Sequence, residues 1–237
     1  MTTDPLHGRR GALHALAASG AALVANRAFA QRETPTAAAP ACVLTPAQTE
    51  GPFFVDEHLE RTNIRSDPSD GSIRQGVALL LALRVFAVSR RGCEPVRNAA
   101  VDVWHCDAAG VYSDADGMGL RTRGAKFLRG YQVSDASGTV RFTTIYPGAY
   151  RGRAVHIHFK VRTNTGDRRN DFTSQLYFDD ALTDRVHAAA PYAASIAQRT
   201  RNTQDGLFRM GGRALILAAR QAGDGYAGTF DVGLRAA

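Results

Sequence analysis

Long hydrophobic runs, internal repeats and clustered cysteines are all missing from this chain of 237 residues. The longest weakly apolar stretch, Gly11–Ala25, is too short and too rich in alanine to anchor in a bilayer as a spanning helix. Strands do not alternate with long helical patterns, which argues against a parallel sheet built from βαβ units. There are only three cysteines, Cys42, Cys93 and Cys106, and their spacing is not that of a zinc ribbon. The net charge of +7 is carried by scattered arginines with no basic block. A nucleic-acid groove needs clustered charge with interleaved aromatics, so the basicity reads as surface solubility.

What is present begins with an address. His7-Gly8-Arg9-Arg10 is a basic segment, the alanine-rich stretch follows, and Ala28-Phe29-Ala30 fits a small-residue cleavage site before Gln31. Residues 1–30 are therefore expected to be an export signal, the paired arginines resembling the twin-arginine kind. That places the mature protein in the periplasm or outside the cell, with no membrane anchor. Residues 31–41, rich in Pro, Thr and Ala, read as a linker, and residues 42–237 as one domain. In an oxidising compartment one disulfide and one leftover thiol are expected.

Strand signals fall at short intervals: Val77–Val88, Ala99–Cys106, Thr139–Ile145, Val155–Val161, Ser174–Phe178, Ala214–Arg220 and Gly228–Leu234. Turn clusters such as Ser113–Gly117, Ser134–Gly138 and Gly223–Gly225 separate them. Only Thr183–Arg199 has helical spacing of any length, and Pro191 divides it into two short helices. The expected fold is all-β, an antiparallel β-sandwich with short helices and long loops.

The chemistry concentrates in Tyr146-Pro-Gly-Ala-Tyr150-Arg-Gly-Arg153-Ala-Val-His156-Ile-His158. Side chains alternate along a strand, so His156 and His158 share one face while Ile157 points to the other. Two adjacent imidazoles are half of a metal site. A second segment, Val101-Asp-Val-Trp104-His105-Cys106-Asp107-Ala-Ala-Gly110-Val-Tyr112, ends a strand in a glycine turn with a tyrosine just beyond it. Taken singly, these residues have ordinary readings: surface histidines, a rim aromatic, a turn tyrosine.

Together and in this order, over roughly residues 42–235, they resemble the intradiol ring-cleavage dioxygenases, with the strongest motifs in 101–178. The Thr144-Ile-Tyr-Pro-Gly-Ala-Tyr150 run, the His-x-His pair and the Thr173-Ser-Gln175-Leu-Tyr-Phe178 strand carry the likeness. The resemblance implies one Fe(III) per chain, held by Tyr112, Tyr150, His156 and His158. It implies that a catechol is opened by O2 between its two hydroxylated carbons to a cis,cis-muconate. Tyr150 is then the phenolate displaced by substrate, Arg153 stabilises charge developing on the ring, and Gln175 orients Arg153. Thr49–Phe54 resembles the loop beside the pocket in that family. The ligand chemistry agrees independently: phenolate and imidazole suit a hard, highly charged ion, and tyrosine is rare at zinc.

Further expectations follow. His105 reads as structural, Tyr146 as a residue that could line the pocket, and Tyr177 and Phe178 as core; His58 and His187 have no assigned role. Loops 55–75 and 114–130 are expected to shape the pocket, and Arg121, Arg123 and Lys126 to be solvated loop charge. Cys42–Cys106 is the favoured disulfide, both being expected at the pocket end. The short N-terminal region and the export signal match a smaller, extracytoplasmic branch that lacks the helical dimerisation region of the soluble members. Two other classes compete: a transthyretin-like or carboxypeptidase-regulatory-like binding sandwich, and a secreted zinc hydrolase.

Overall fold

The computed structural model describes residues 42–117, 119–165 and 168–236; the expected signal and linker lie outside the described residues. Among the described residues eleven strands are formed: β1 Ala78–Ser89, β2 Gly92–Pro95, β3 Ala100–Trp104, β4 Asp116–Gly117, β5 Leu120–Arg121, β6 Arg129–Val133, β7 Thr139–Ile145, β8 His156–Thr165, β9 Arg168–Tyr177, β10 Arg220–Ala222 and β11 Gly225–Arg235. The α-helix α1 Asp180–His187 is capped by the Asp179 side chain accepting from Leu182 N–H.

Two sheets face each other. The first runs β10-β11-β1-β2, with β7 also on β1, and the second runs β6-β3-β8-β9. Alternation along β1 sends Leu79, Leu81, Leu83 and Val85 inward, where they join Val140, Phe142 and Val232. From the opposite sheet Val101, Val103, Ile157, Phe159, Val161 and Leu176 close the same core. The all-β sandwich agrees with expectation, but it is not wholly antiparallel: β1 and β11 pair in parallel from Leu79↔Tyr226 to Val88↔Arg235.

Other expectations need correction. Ala214–Arg220 is not a strand; a 3-10 turn, Gly212–Leu215, precedes β10, which begins only at Arg220. The helical stretch is α1 followed by the 3-10 turns Tyr192–Ala194 and Ile196–Gln198. Residues 59–64 are held along β6 and β7 by Tyr131 N–H to Leu59 O, Arg61 N–H to Tyr131 O and Ile64 N–H to Thr143 O. Cys42 pairs with Cys93, not Cys106, because residues 42–45 run beside β11 next to β1 and β2: Thr45 N–H donates to Gly233 O. Cys106 is a buried free thiol, and its Sγ lies 3.5 Å from Gly148 O.

His105, just past β3, is structural as expected. Its Nδ1 meets Cys106 O at 2.8 Å and its Nε2 meets Thr144 Oγ1 at 2.7 Å, in full burial. Burial lowers its pKa from 6.5 to about 4. Between those pH values the unfolded chain binds a proton that the fold refuses, so stability falls as pH falls, by about 3 kcal/mol at the lower end. Thermal midpoints recorded from pH 7 to 4 should drop for the native chain and drop less steeply for His105→Gln. Parallel profiles would remove this residue from the acid response.

Candidate active site

Register places the first group of site residues on one surface. Opposite residues of an antiparallel pair share a face, and β8 sets His156 across from Tyr177 and His158 across from Gln175 on β9. On its other edge, His158 faces Trp104 of β3. This is the outer face of the second sheet, since Ile157 and Leu176 between them enter the core. Loops cover it. Phe54 leans on Trp104, Trp104 stacks on the His158 ring at 4.9 Å, and Phe53 stacks on Tyr112 at 4.3 Å.

Two interlocked turns bring in the tyrosines. Gly110 sits at φ +85°, and a Cβ there would lie 2.3 Å from Ala149 O. Gly148 has the same closeness in reverse, its N–H donating to Asp107 O at 3.0 Å while a Cβ would lie 2.4 Å from Ala108 O. Backbone against backbone, the turns deliver Tyr112 and Tyr150 to one point, their rings 5.7 Å apart. The β4–β5 hairpin that follows Tyr112 packs Ala115 and Leu120 against this cluster. The loop charges lie at the surface as expected: Arg121 is exposed, Arg123 pairs with Asp116, and Lys126 with Glu57.

The polar atoms outnumber their hydrogen-bonding options. His156 Nδ1 donates to Ala154 O at 2.6 Å, leaving Nε2 as a bare acceptor. Around that one lone pair stand His158 Nε2 at 3.0 Å, Tyr150 Oη at 3.2 Å and Tyr112 Oη at 3.4 Å. His158 Nδ1 is buried without a partner. Burial, followed by the Arg153 charge, lowers His156 to about 3, and burial then His156 hold His158 well below its usual value. Burial, then proximity to Tyr150, pushes Tyr112 well above the phenol range, and burial raises Tyr150 to about 12 against the pull of Arg153. Neutral imidazoles and two phenols crowded on one point form a donor set that a cation completes. Among the described residues, no three His, Cys, Asp or Glu side chains form a metal site, so a zinc centre of the usual ligands has no third donor here. The burial of Tyr112, His156 and His158 equally disfavours a surface cluster on a binding module.

Arg153 lies beside this point. Its Nε donates to Asp205 at 3.0 Å and its Nη2 to Gln175 Oε1 at 2.5 Å and Tyr177 Oη at 3.4 Å. Gln175 Nε2 in turn donates to Thr49 O at 2.8 Å, tying the network to the Thr49–Phe54 loop. Gln48 and Asp205 were not anticipated in the site; Tyr177, in a core cluster with Ala154 and Leu215 as expected, also reaches it, its hydroxyl donating to Gln48 Oε1 at 2.8 Å. Tyr177 had a signal, being two residues from Gln175 on the same strand face; Asp205, in an irregular segment, had none. Tyr146 is corrected in the other direction: it packs in the core against Phe178, its hydroxyl 2.7 Å from Thr183 Oγ1.

A family model described as dioxygenase matches residues 49–211. The chain belongs to the intradiol dioxygenase family. Within that family it is 34% identical to catechol 1,2-dioxygenase of Acinetobacter baylyi over 151 residues, 56% of this chain and 45% of that enzyme. It is 36% identical to the protocatechuate 3,4-dioxygenase beta chain of Burkholderia cepacia over 114 residues, 44% of this chain and 48% of that one. The alignments thus span about half the length of these curated relatives. The solved intradiol ring-cleavage dioxygenase of Tetranychus urticae is similar over 82% of this chain and 95% of its own, at 29% identity and a TM-score of 0.70.

Proposed function

We propose that this protein is an Fe(III)-dependent intradiol dioxygenase that opens a catechol-type ring with O2 to a cis,cis-muconate-type product. The observation that carries this reading is the convergence of Tyr112 Oη, Tyr150 Oη and His158 Nε2 on His156 Nε2. Ferric ion, when bound there, supplies the charge that ionises the buried phenols and activates the catecholate toward O2.

The chain's own residues do the rest. Ala154 O fixes the His156 tautomer with Nε2 toward the site, and Trp104 stacked on the ring fixes the plane of His158. Tyr150 is the more exposed of the two phenols, on a loop next to Arg153. Its oxygen takes a proton that the catechol must lose on binding. The Arg153 guanidinium, always charged, stabilises negative charge developing on the ring. Gln175 holds Arg153 through Nη2. Phe53 and Phe54 narrow the water access on the loop side. Export is part of the same proposal: the paired arginines and cleavage signature favour it, and the Cys42–Cys93 disulfide suits an oxidising compartment.

The test is colour followed by turnover. Purified protein supplied with ferric ion should show the intense visible charge-transfer band of an iron tyrosinate. Oxygen uptake should then appear with at least one of catechol, protocatechuate, hydroxyquinol, or halogenated or lignin-derived catechols. Folded protein that stays colourless with ferric ion, or consumes no oxygen with the whole panel, would sink the proposal.

A further inference from the structure

Asp205 is a buried carboxylate in contact with the Arg153 network, its side chain 1% exposed. Every acceptor position on it is used. Oδ1 takes Leu207 N–H at 2.7 Å and Phe208 N–H at 3.3 Å, which fixes the carboxylate to its own segment. Oδ2 takes Ala154 N–H at 2.8 Å and Arg153 Nε at 3.0 Å. The same residue, Ala154, accepts from His156 Nδ1 through its carbonyl. One oxygen atom therefore sits between the guanidinium and the backbone N–H of the residue whose carbonyl orients a site histidine.

Burial acts to raise the Asp205 carboxyl, but the Ala154 N–H, the Arg153 charge and the Leu207 N–H together hold it below its usual value. It stays ionised beside an arginine that is itself mostly buried. A guanidinium in that setting without a partner would turn toward water, at the expense of its aim. With Nε committed to Asp205 and Nη2 to Gln175 and Tyr177, the remaining amino group is the one available to substrate.

We propose that Asp205 is a positioning residue of the ring-cleavage reaction, fixing Arg153 in a set relation to His156 through a single shared carboxylate oxygen. The inference rests on the reading of the site as an intradiol dioxygenase centre. Asp205 touches neither substrate nor metal, and acts through Arg153.

A double-mutant cycle of Asp205→Asn and Arg153→Ala tests it at saturating ferric ion. Asp205→Asn should keep the visible band and lower kcat roughly 10- to 100-fold, the range for losing a partner that orients a site residue. KM and the dissociation constant of catechol, titrated without oxygen by the shift of the band, should stay within about threefold. In the Arg153→Ala background the same change should cost almost nothing further, because its effect passes through the missing guanidinium. Additive losses, a loss confined to KM, or an unchanged or increased kcat in Asp205→Asn would overturn the proposal. Should Asp205→Asn not fold, Asp205→Glu, which displaces the carboxylate by one methylene, enters the same cycle under the same criteria. A native chain inactive on every catechol defeats the functional reading instead, whereas an active native chain with a normal Asp205→Asn defeats only this one.

Discussion

Tyr112→Phe is expected to abolish ring opening, lowering kcat by more than about 100-fold, and to bleach or shift the visible band of the iron-loaded protein. The figure is a lower bound, since groups that merely orient metal ligands already cost roughly 10- to 100-fold. The fold should barely notice. The Tyr112 hydroxyl points only at site atoms, 3.4 Å from His156 Nε2, and the ring remains stacked on Phe53. His158→Ala should give the same loss of colour and turnover. Tyr146→Phe is the matched control, because that hydroxyl bonds Thr183 Oγ1 in the core. It should cost about 1 kcal/mol of stability and leave colour and rate alone. Normal catechol turnover in Tyr112→Phe would remove it from the ligand set.

Gly110→Ala should damage the same centre without touching a ligand. At φ +85° an alanine is strained wherever it stands, and here its Cβ would meet Ala149 O at 2.3 Å and Tyr150 Cβ at 3.2 Å. The two turns must separate, taking Tyr150 away from His156. Left-handed strain and the clash together point to a loss of about 3 kcal/mol. Chemical denaturation and the intensity of the visible band should fall together. A variant with native stability and full colour would show that the turns have slack that the backbone contacts do not display.

Much of this site was legible because its parts obey strand periodicity. His156 and His158 lie two apart in an apolar run, and that spacing alone set them on one face. Gln175 and Tyr177 follow the same rule on β9, but Gln175 was singled out by the resemblance, and the reading of Tyr177 as core, which its burial bears out, left the link of its hydroxyl to Arg153 unseen. The pairing of Tyr112 with Tyr150 needed the family resemblance, because no local pattern says that turns near 110 and 148 touch. Asp205 works through backbone N–H groups and a partner over fifty residues away in sequence, information that composition does not carry. The disulfide failed for a similar reason: the path of residues 42–45 beside β11 decides which cysteine is near. Strand β6, Arg-Gly-Tyr-Gln-Val, was missed because its side chains alternate too weakly to stand out from a loop.

The parallel pairing of β1 with β11 bears on when this protein can acquire its shape. β1 is the central strand of its sheet, and its partner residues on β11 lie far along the chain, Arg84 and Asp231 being 147 positions apart. A ribosome releases β1 long before β11 exists, so the emerging chain carries a strand with one unpaired edge through most of its synthesis. Closing so large a loop is costly in entropy and slow. The sandwich is therefore completed only as its last strand arrives.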